Sequence, residues 1–171
     1  CTQIFKENFE QYKDEKELLK KWKVEKLNGE TDLIGWHLIS PGIYGNLAIE
    51  FGGFEGHSSL DQRIISPSIN CFNSKSLLLQ FVHMIEYFDG AYGIPVKLVV
   101  EISKDLGKSW STVLEINLSE NIDEFSPRLE LVNINECSGV NGCNIGFRIM
   151  TWDSFALNFW RIDEITIYSN Q

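Results

Sequence analysis

The segment Ser103-Lys104-Asp105-Leu106-Gly107-Lys108-Ser109-Trp110 gathers residue types that can do chemistry. Asp105 can fold its carboxylate back onto turn amides, Gly107 can take the positive φ such a turn needs, and Trp110 can cover the turn as the chain re-enters a sheet. The role this predicts for Asp105 is structural. A second pair of acids, Asp163-Glu164, lies between Trp160 and Ile162 on one parity and Ile165 and Ile167 on the other. That switch predicts a β-bulge placing both carboxylates at the sheet rim, either solvated or liganded. The aromatics Tyr44, Phe54, Tyr92, and Trp152 with Phe155, fall in or beside expected loops. A flat ring there can stack on the apolar face of a sugar, or it can cap an open end of the fold.

The spacing Ser-x-Asp-x-Gly-x-x-Trp is that of the Asp box, built here from Ser103, Asp105, Gly107 and Trp110. In sialidase propellers it recurs once per blade, away from the catalytic centre. A single copy argues against a propeller and against Asp105 as a catalytic acid. No Gly-x-Ser-x-Gly elbow, His-Glu-x-x-His helix or phosphate-cradling loop occurs in the sequence. His37, His57 and His83 are too far apart for a local metal motif, and His83 shares its parity with Phe81 and Ile85, which assigns it to packing. The chain reads as non-catalytic.

The four cysteines fit neither zinc spacing nor a Cys-x-x-Cys redox motif. Cys137 and Cys143 bracket a turn-rich loop whose ends can meet. A bridge there would stabilise by roughly 2 to 3 kcal/mol on the loop-entropy estimate. Cys71 reads as a small buried residue. Cys1 is compatible with a lipidated terminus and equally with a cut from a longer polypeptide.

With 171 residues the chain is expected to make one domain, 1–171. Such a domain buries roughly 70% of the surface its unfolded form exposes. A net charge of -9 and a pI near 4.8 repel phosphate backbones and anionic lipids. The one basic cluster, Lys16 to Lys26, is interleaved with Glu17 and Glu25. Nucleic acid is therefore not an expected partner. The longest apolar run, Leu77 to Phe88, is broken by Gln80, His83 and Glu86, so no membrane insertion is expected either.

The elements that must position these groups are nearly all strands. Asp14 is placed to cap one brief helix through Glu17 to Lys20. Alternation then marks strands around Trp22 to Leu27, Trp36 to Ile39, Leu47 to Phe51, Arg63 to Ile65, Ser76 to Phe88, a hairpin over Val96 to Ile116, then Arg128 to Ile134, Ile145 to Ile149 and Phe159 to Tyr168. Ser76 to Phe88 is apolar on both parities and reads as the central strand, with both faces covered or its ends passing beneath loops. Trp22, Trp36, Trp110 and Trp160 are expected in the core. About ten short strands with turn signals between them predict an all-β sandwich of two antiparallel sheets.

Phe9-Glu10, Ile65-Ser66-Pro67-Ser68-Ile69, the Asp-box hairpin and Trp160-Arg161-Ile162-Asp163-Glu164-Ile165 together, in this order, resemble the bacterial choice-of-anchor J and cleaved-adhesin domains, relatives of MAM domains. Reelin subrepeats are the rival assignment. The resemblance implies a jelly-roll sandwich that is part of a larger secreted or cell-surface, extracellular protein, an adhesion module binding a glycan or a surface protein. The alternative is a structural accessory domain appended to a secreted enzyme. It also implies a structural calcium ion where the first and last strands meet, with Glu10 and Asp163 as side-chain ligands and Glu164 beside them. Glu164 stands where many relatives carry a second Asp. Extracellular modules hold calcium at roughly 0.1 to 1 mM. Without the resemblance these acids read as solvated or ion-paired.

Overall fold

Period-two alternation drives the architecture of the computed structural model, which describes residues 1–28, 35–52, 59–87, 94–118, 126–153 and 156–170. The strands are β1 Thr2–Glu7, β2 Lys23–Asn28, β3 Gly35–Ile39, β4 Ala48–Gly52, β5 Leu60–Ile65, β6 Ile69–Asn70, β7 Ser76–Tyr87, β8 Val96–Ser103, β9 Ser111–Asn117, β10 Arg128–Asn133, β11 Asn141–Thr151 and β12 Leu157–Asn170. One short helix, α1 Glu15–Leu18, follows Asp14, whose Oδ1 accepts the Glu17 amide at 2.8 Å as the N-cap.

Two antiparallel sheets face each other. The first runs β10-β7-β12-β4-β3 with β1 also on β12; the second runs β2-β5-β11-β8-β9 with β6 on β11. Their inward rows make one core. Phe81 and Phe147 meet across it with ring centroids 5.3 Å apart, and Phe147 also faces Trp160 at 6.0 Å, while Trp160 packs on Trp36 of its own sheet at 5.4 Å. His83 is buried in this core as expected. The indole Nε1 of Trp160 can only donate, so His83 Nδ1 accepts it at 3.1 Å and Nε2 carries the proton toward Glu130 Oε1 at 3.2 Å. Burial pushes the imidazole below its ordinary pKa, against the pull of Glu130.

Three expectations are corrected. β7 is an interior strand, but the centre of the first sheet is β12, and β7's outer face is only partly covered, with Leu78 exposed. Trp110 is not in the core. β9 carries one extra residue where Val100 pairs with Leu114 but Glu101 pairs with Thr112, so parity flips at Val113 and Trp110 emerges on the outer face. There it lies on Gly146, where an added Cβ would come within 2.8 Å of the indole.

The third correction concerns the bulge at Asp163-Glu164. It is present: Asp163 opposes Val82 and Thr166 opposes Gln80, with Glu164 at φ 49°. It does not lie at a rim. One edge of β12 pairs with β4 from Phe159 to Ile162 and with β1 from Ile165 to Ser169. The bulge fills the gap between those two partners, and Asp163 is 1% exposed.

The outer face of the second sheet carries a row of charges. Arg63 and Arg148 stand directly opposite each other, a repulsive arrangement unless neutralised. Glu101 bridges them, accepting from Arg63 Nε at 2.6 Å and from Arg148 Nη1 at 3.1 Å. Glu25 takes Arg63 Nη1 at 2.7 Å, and Asp61 holds Arg148 through two bonds of 2.7 and 2.8 Å. The Arg63 guanidinium also lies 4.4 Å from the Trp110 ring centroid.

Candidate functional site

The sheet gap is closed by the segment from Gly42 to Leu47, which two carboxylates hold by its amides. Asp163 Oδ2 accepts from Ile43 N at 3.0 Å and Tyr44 N at 3.1 Å, and its Oδ1 from Glu164 N at 2.8 Å. Glu10 Oε1 accepts from Asn46 N at 2.8 Å and Leu47 N at 2.9 Å. Space here is tight: a Cβ at Gly42 would stand 2.5 Å from the Leu47 carbonyl oxygen and 3.1 Å from Asp163 Oδ2. Burial raises the Asp163 pKa, the three amides lower it, and the nearby charge of Glu10 raises it again.

These two acids have no basic side chain as partner among the described residues. Five backbone amides already donate to these two carboxylates, whose hard oxygens are of the donor type that suits calcium. Glu164 contributes its amide to Asp163. Among the described residues no three acidic, histidine or cysteine side chains converge as a metal-holding group. Glu10 and Asp163 are thus brought together, and Glu164 does not join them as a third carboxylate.

The second candidate site is a groove of about 380 Å³ on the outer face of the second sheet. Its floor is a single cross-strand row: Met150 opposes Lys97, and Lys97 opposes Asn117. Pro95, Val96 and Trp152 complete its lining. Thr151, which faces the core at the end of β11, donates from Oγ1 to the Asp153 carbonyl at 2.8 Å and fixes the turn from which Trp152 projects. Trp152 is 78% exposed, the most exposed large apolar side chain among the described residues. Lys97 Nζ lies 3.3 Å from Glu115 Oε1, which leaves charged and amide groups along one side of the indole. An aromatic plate beside hydrogen-bonding groups is the chemistry by which proteins hold sugars.

Of the other aromatics, Tyr44 is 65% exposed on the Gly42 to Leu47 segment, which packs on the first sheet, so it is not brought to Trp152. Phe54, Tyr92 and Phe155 lie outside the described residues. The Asp box is a turn device. Asp105 accepts from the Ser109 amide and hydroxyl at 2.9 and 2.6 Å and from the Ser103 hydroxyl at 2.8 Å, which together hold its pKa down to about 2. Gly107 has φ 84°. Cys137 and Cys143 form a disulfide, with Cα atoms 6.0 Å apart, and Cys71 is a buried free thiol.

Sequence reasoning missed Glu7, a 4% exposed carboxylate that accepts from Phe9 N, Gln11 Nε2, Tyr12 Oη and Trp22 Nε1 at 2.7 to 3.2 Å. The signal was its parity, shared with Phe5 and Phe9. It also missed the Met150-Lys97-Asn117 row, since cross-strand register is not written in any one segment.

A comparison with protein-family models gives no match, and neither does one with curated proteins. Solved structures do match over the whole chain. A cleaved adhesin domain of Lys-gingipain from Porphyromonas gingivalis is 20% identical, with 100% of both chains covered and a TM-score of 0.67. A xylan-binding domain from Paenibacillus barcinonensis is 11% identical, covering 98% of this chain and 94% of its own, TM-score 0.56. A family 11 carbohydrate-binding module from Clostridium thermocellum, in complex with a β-1,3-1,4-mixed-linked tetrasaccharide, is 14% identical, covering 95% and 93%, TM-score 0.55. What these likenesses show is the fold: the chain is a jelly-roll β-sandwich with the architecture of the cleaved-adhesin domains.

Proposed function

We propose that this domain is a non-catalytic glycan-binding module of an extracellular or cell-surface protein, and that the sugar lies in the groove beside Trp152. The observation that carries the reading is Trp152 itself, held 78% exposed by the Thr151 turn over a row of Met150, Lys97 and Asn117. An indole left in water at the end of a strand costs apolar burial unless something covers it. The mixed-linkage glucan and xylan binders among the structural neighbours support a saccharide as the cover. Trp152→Ala is expected to weaken retention in affinity gels containing xylan or mixed-linkage glucan by at least about 30-fold, the effect of losing a central aromatic contact. Unchanged retention of the variant on a glycan that the parent binds would remove the groove from consideration.

The same reading includes a structural calcium held by Glu10 and Asp163, with loop carbonyls completing its shell. It would neutralise two clustered carboxylates, one of them buried, and lock the Gly42 to Leu47 segment across the sheet gap. A ligand bound only by the folded state stabilises it by mass action, so 1 mM calcium is expected to raise the melting temperature over a chelated sample by about 1 to 6 °C. Coincident melts with calcium and with chelator, in parent and Asp163→Asn alike, would contradict the metal.

A further inference from the structure

The face that carries the Trp152 groove holds a second one at its other end. Lys21, Lys23, Ser68, Leu106 and Asn144 line a groove of about 260 Å³ between β2 and the Asp-box turn, together with Glu25, whose carboxylate is already tied to Arg63 Nη1 at 2.7 Å. Asn144 and Met150 project from the same face of β11, since residues of one parity share a face, and lie roughly 20 Å apart along the strand. A chain of several sugar units can therefore reach from one groove to the other.

The chemistry of this end differs from that at Trp152. Lys21 and Lys23 are exposed and have no ion-pair partner among the described residues, in a protein of net charge -9. Leu106, 70% exposed, forms an apolar wall, and Ser68 offers a hydroxyl. Asn144 is 8% exposed; its Nδ2 donates to the Ser66 carbonyl at 2.9 Å, while its Oδ1 has no partner. A buried acceptor without a donor carries a penalty that a ligand hydroxyl would relieve. Ammonium groups, a hydroxyl, an acceptor lacking its donor and an apolar wall are together complementary to a sugar ring bearing an anionic group.

We infer that this groove is an anion-selective subsite, taking a carboxylated or sulfated sugar unit of the glycan whose neutral portion stacks on Trp152. The inference rests on the glycan-binding reading above and names its ligand class. The intact domain is titrated calorimetrically at low salt with a neutral xylo-oligosaccharide, an oligogalacturonate and a sulfated galactan oligosaccharide. At least one acidic oligosaccharide is expected to bind about tenfold tighter than the neutral one, despite the repulsive net charge, and to lose that margin in raised salt. The margin is expected to vanish in Lys21→Ala/Lys23→Ala and to persist in Lys21→Arg/Lys23→Arg, with neutral affinity unchanged throughout. The preferred acidic probe tells carboxylate from sulfate. Equal affinity for acidic and neutral oligosaccharides, or a preference that survives the alanine pair, would overturn the subsite. If Trp152→Ala still abolished binding in those cases, the main groove would stand; a folded protein that bound no saccharide would remove both.

Discussion

Glu7→Ala should cost the domain about 4 kcal/mol or more, a large part of the 5 to 15 kcal/mol that holds a typical domain folded. The carboxylate gathers the end of the sandwich. It accepts the amide of Phe9, which sits at φ 65° where the chain reverses after β1, and it satisfies Tyr12 Oη and Trp22 Nε1. Phe9, Tyr12 and Trp22 are all buried, so removing the acceptor orphans three donors that water cannot easily reach. Burial and the Glu7 charge together push the Tyr12 phenol up to about 12, a sign of how closely the two groups are held. Glu7→Gln should fall between parent and alanine variant, since its amide keeps one acceptor but turns a donor toward the others. Urea denaturation of the three proteins checks the order; a Glu7→Ala midpoint equal to the parent's would refute it.

Arg63→Ala is expected to destabilise by about 3 kcal/mol, because breaking a buried ion pair leaves Glu101 with Arg148 alone to compensate it. That corresponds to a melting temperature lower by about 6 to 12 °C in a chain of this size. Arg63 and Glu101 are each 4% exposed and 2.6 Å apart, and the Arg63 stem and guanidinium cover Trp110. Arg148 still touches Glu101 and limits the loss. The double variant Arg63→Met/Glu101→Leu should recover much of the stability, since apolar groups of similar volume replace a buried pair at little net cost. A double variant as unstable as Arg63→Ala would show that the row acts through something other than uncompensated charge.

Most strands and helix α1 were legible because each is a local pattern. Ile145, Phe147 and Ile149 alternate into the core as expected, and Asp14 caps α1. The bulge at Asp163 was legible from a parity switch, but its location was not. Whether a bulge falls at a rim or in a gap depends on which strands flank β12, and β1 and β4 are distant in sequence. Trp110 was misplaced for a related reason. A period of two counts residues, and one inserted residue at Val113 reverses every assignment on the far side. The disulfide needed only a short loop whose ends could meet, and it is present. The Trp152 groove was half legible: the exposed indole stood beside turn signals, whereas Lys97, Asn117 and Met150 become neighbours only through the registers of β8, β9 and β11.

The central claim is that Trp152 and its row bind a saccharide. A glycan array probed with the folded domain in millimolar calcium tests it most directly, with Trp152→Ala printed against the same surface. Binding confined to one class of polysaccharide and lost in the variant is the expected result. Silence of the folded parent on every glycan, or binding that Trp152→Ala leaves intact, would contradict it.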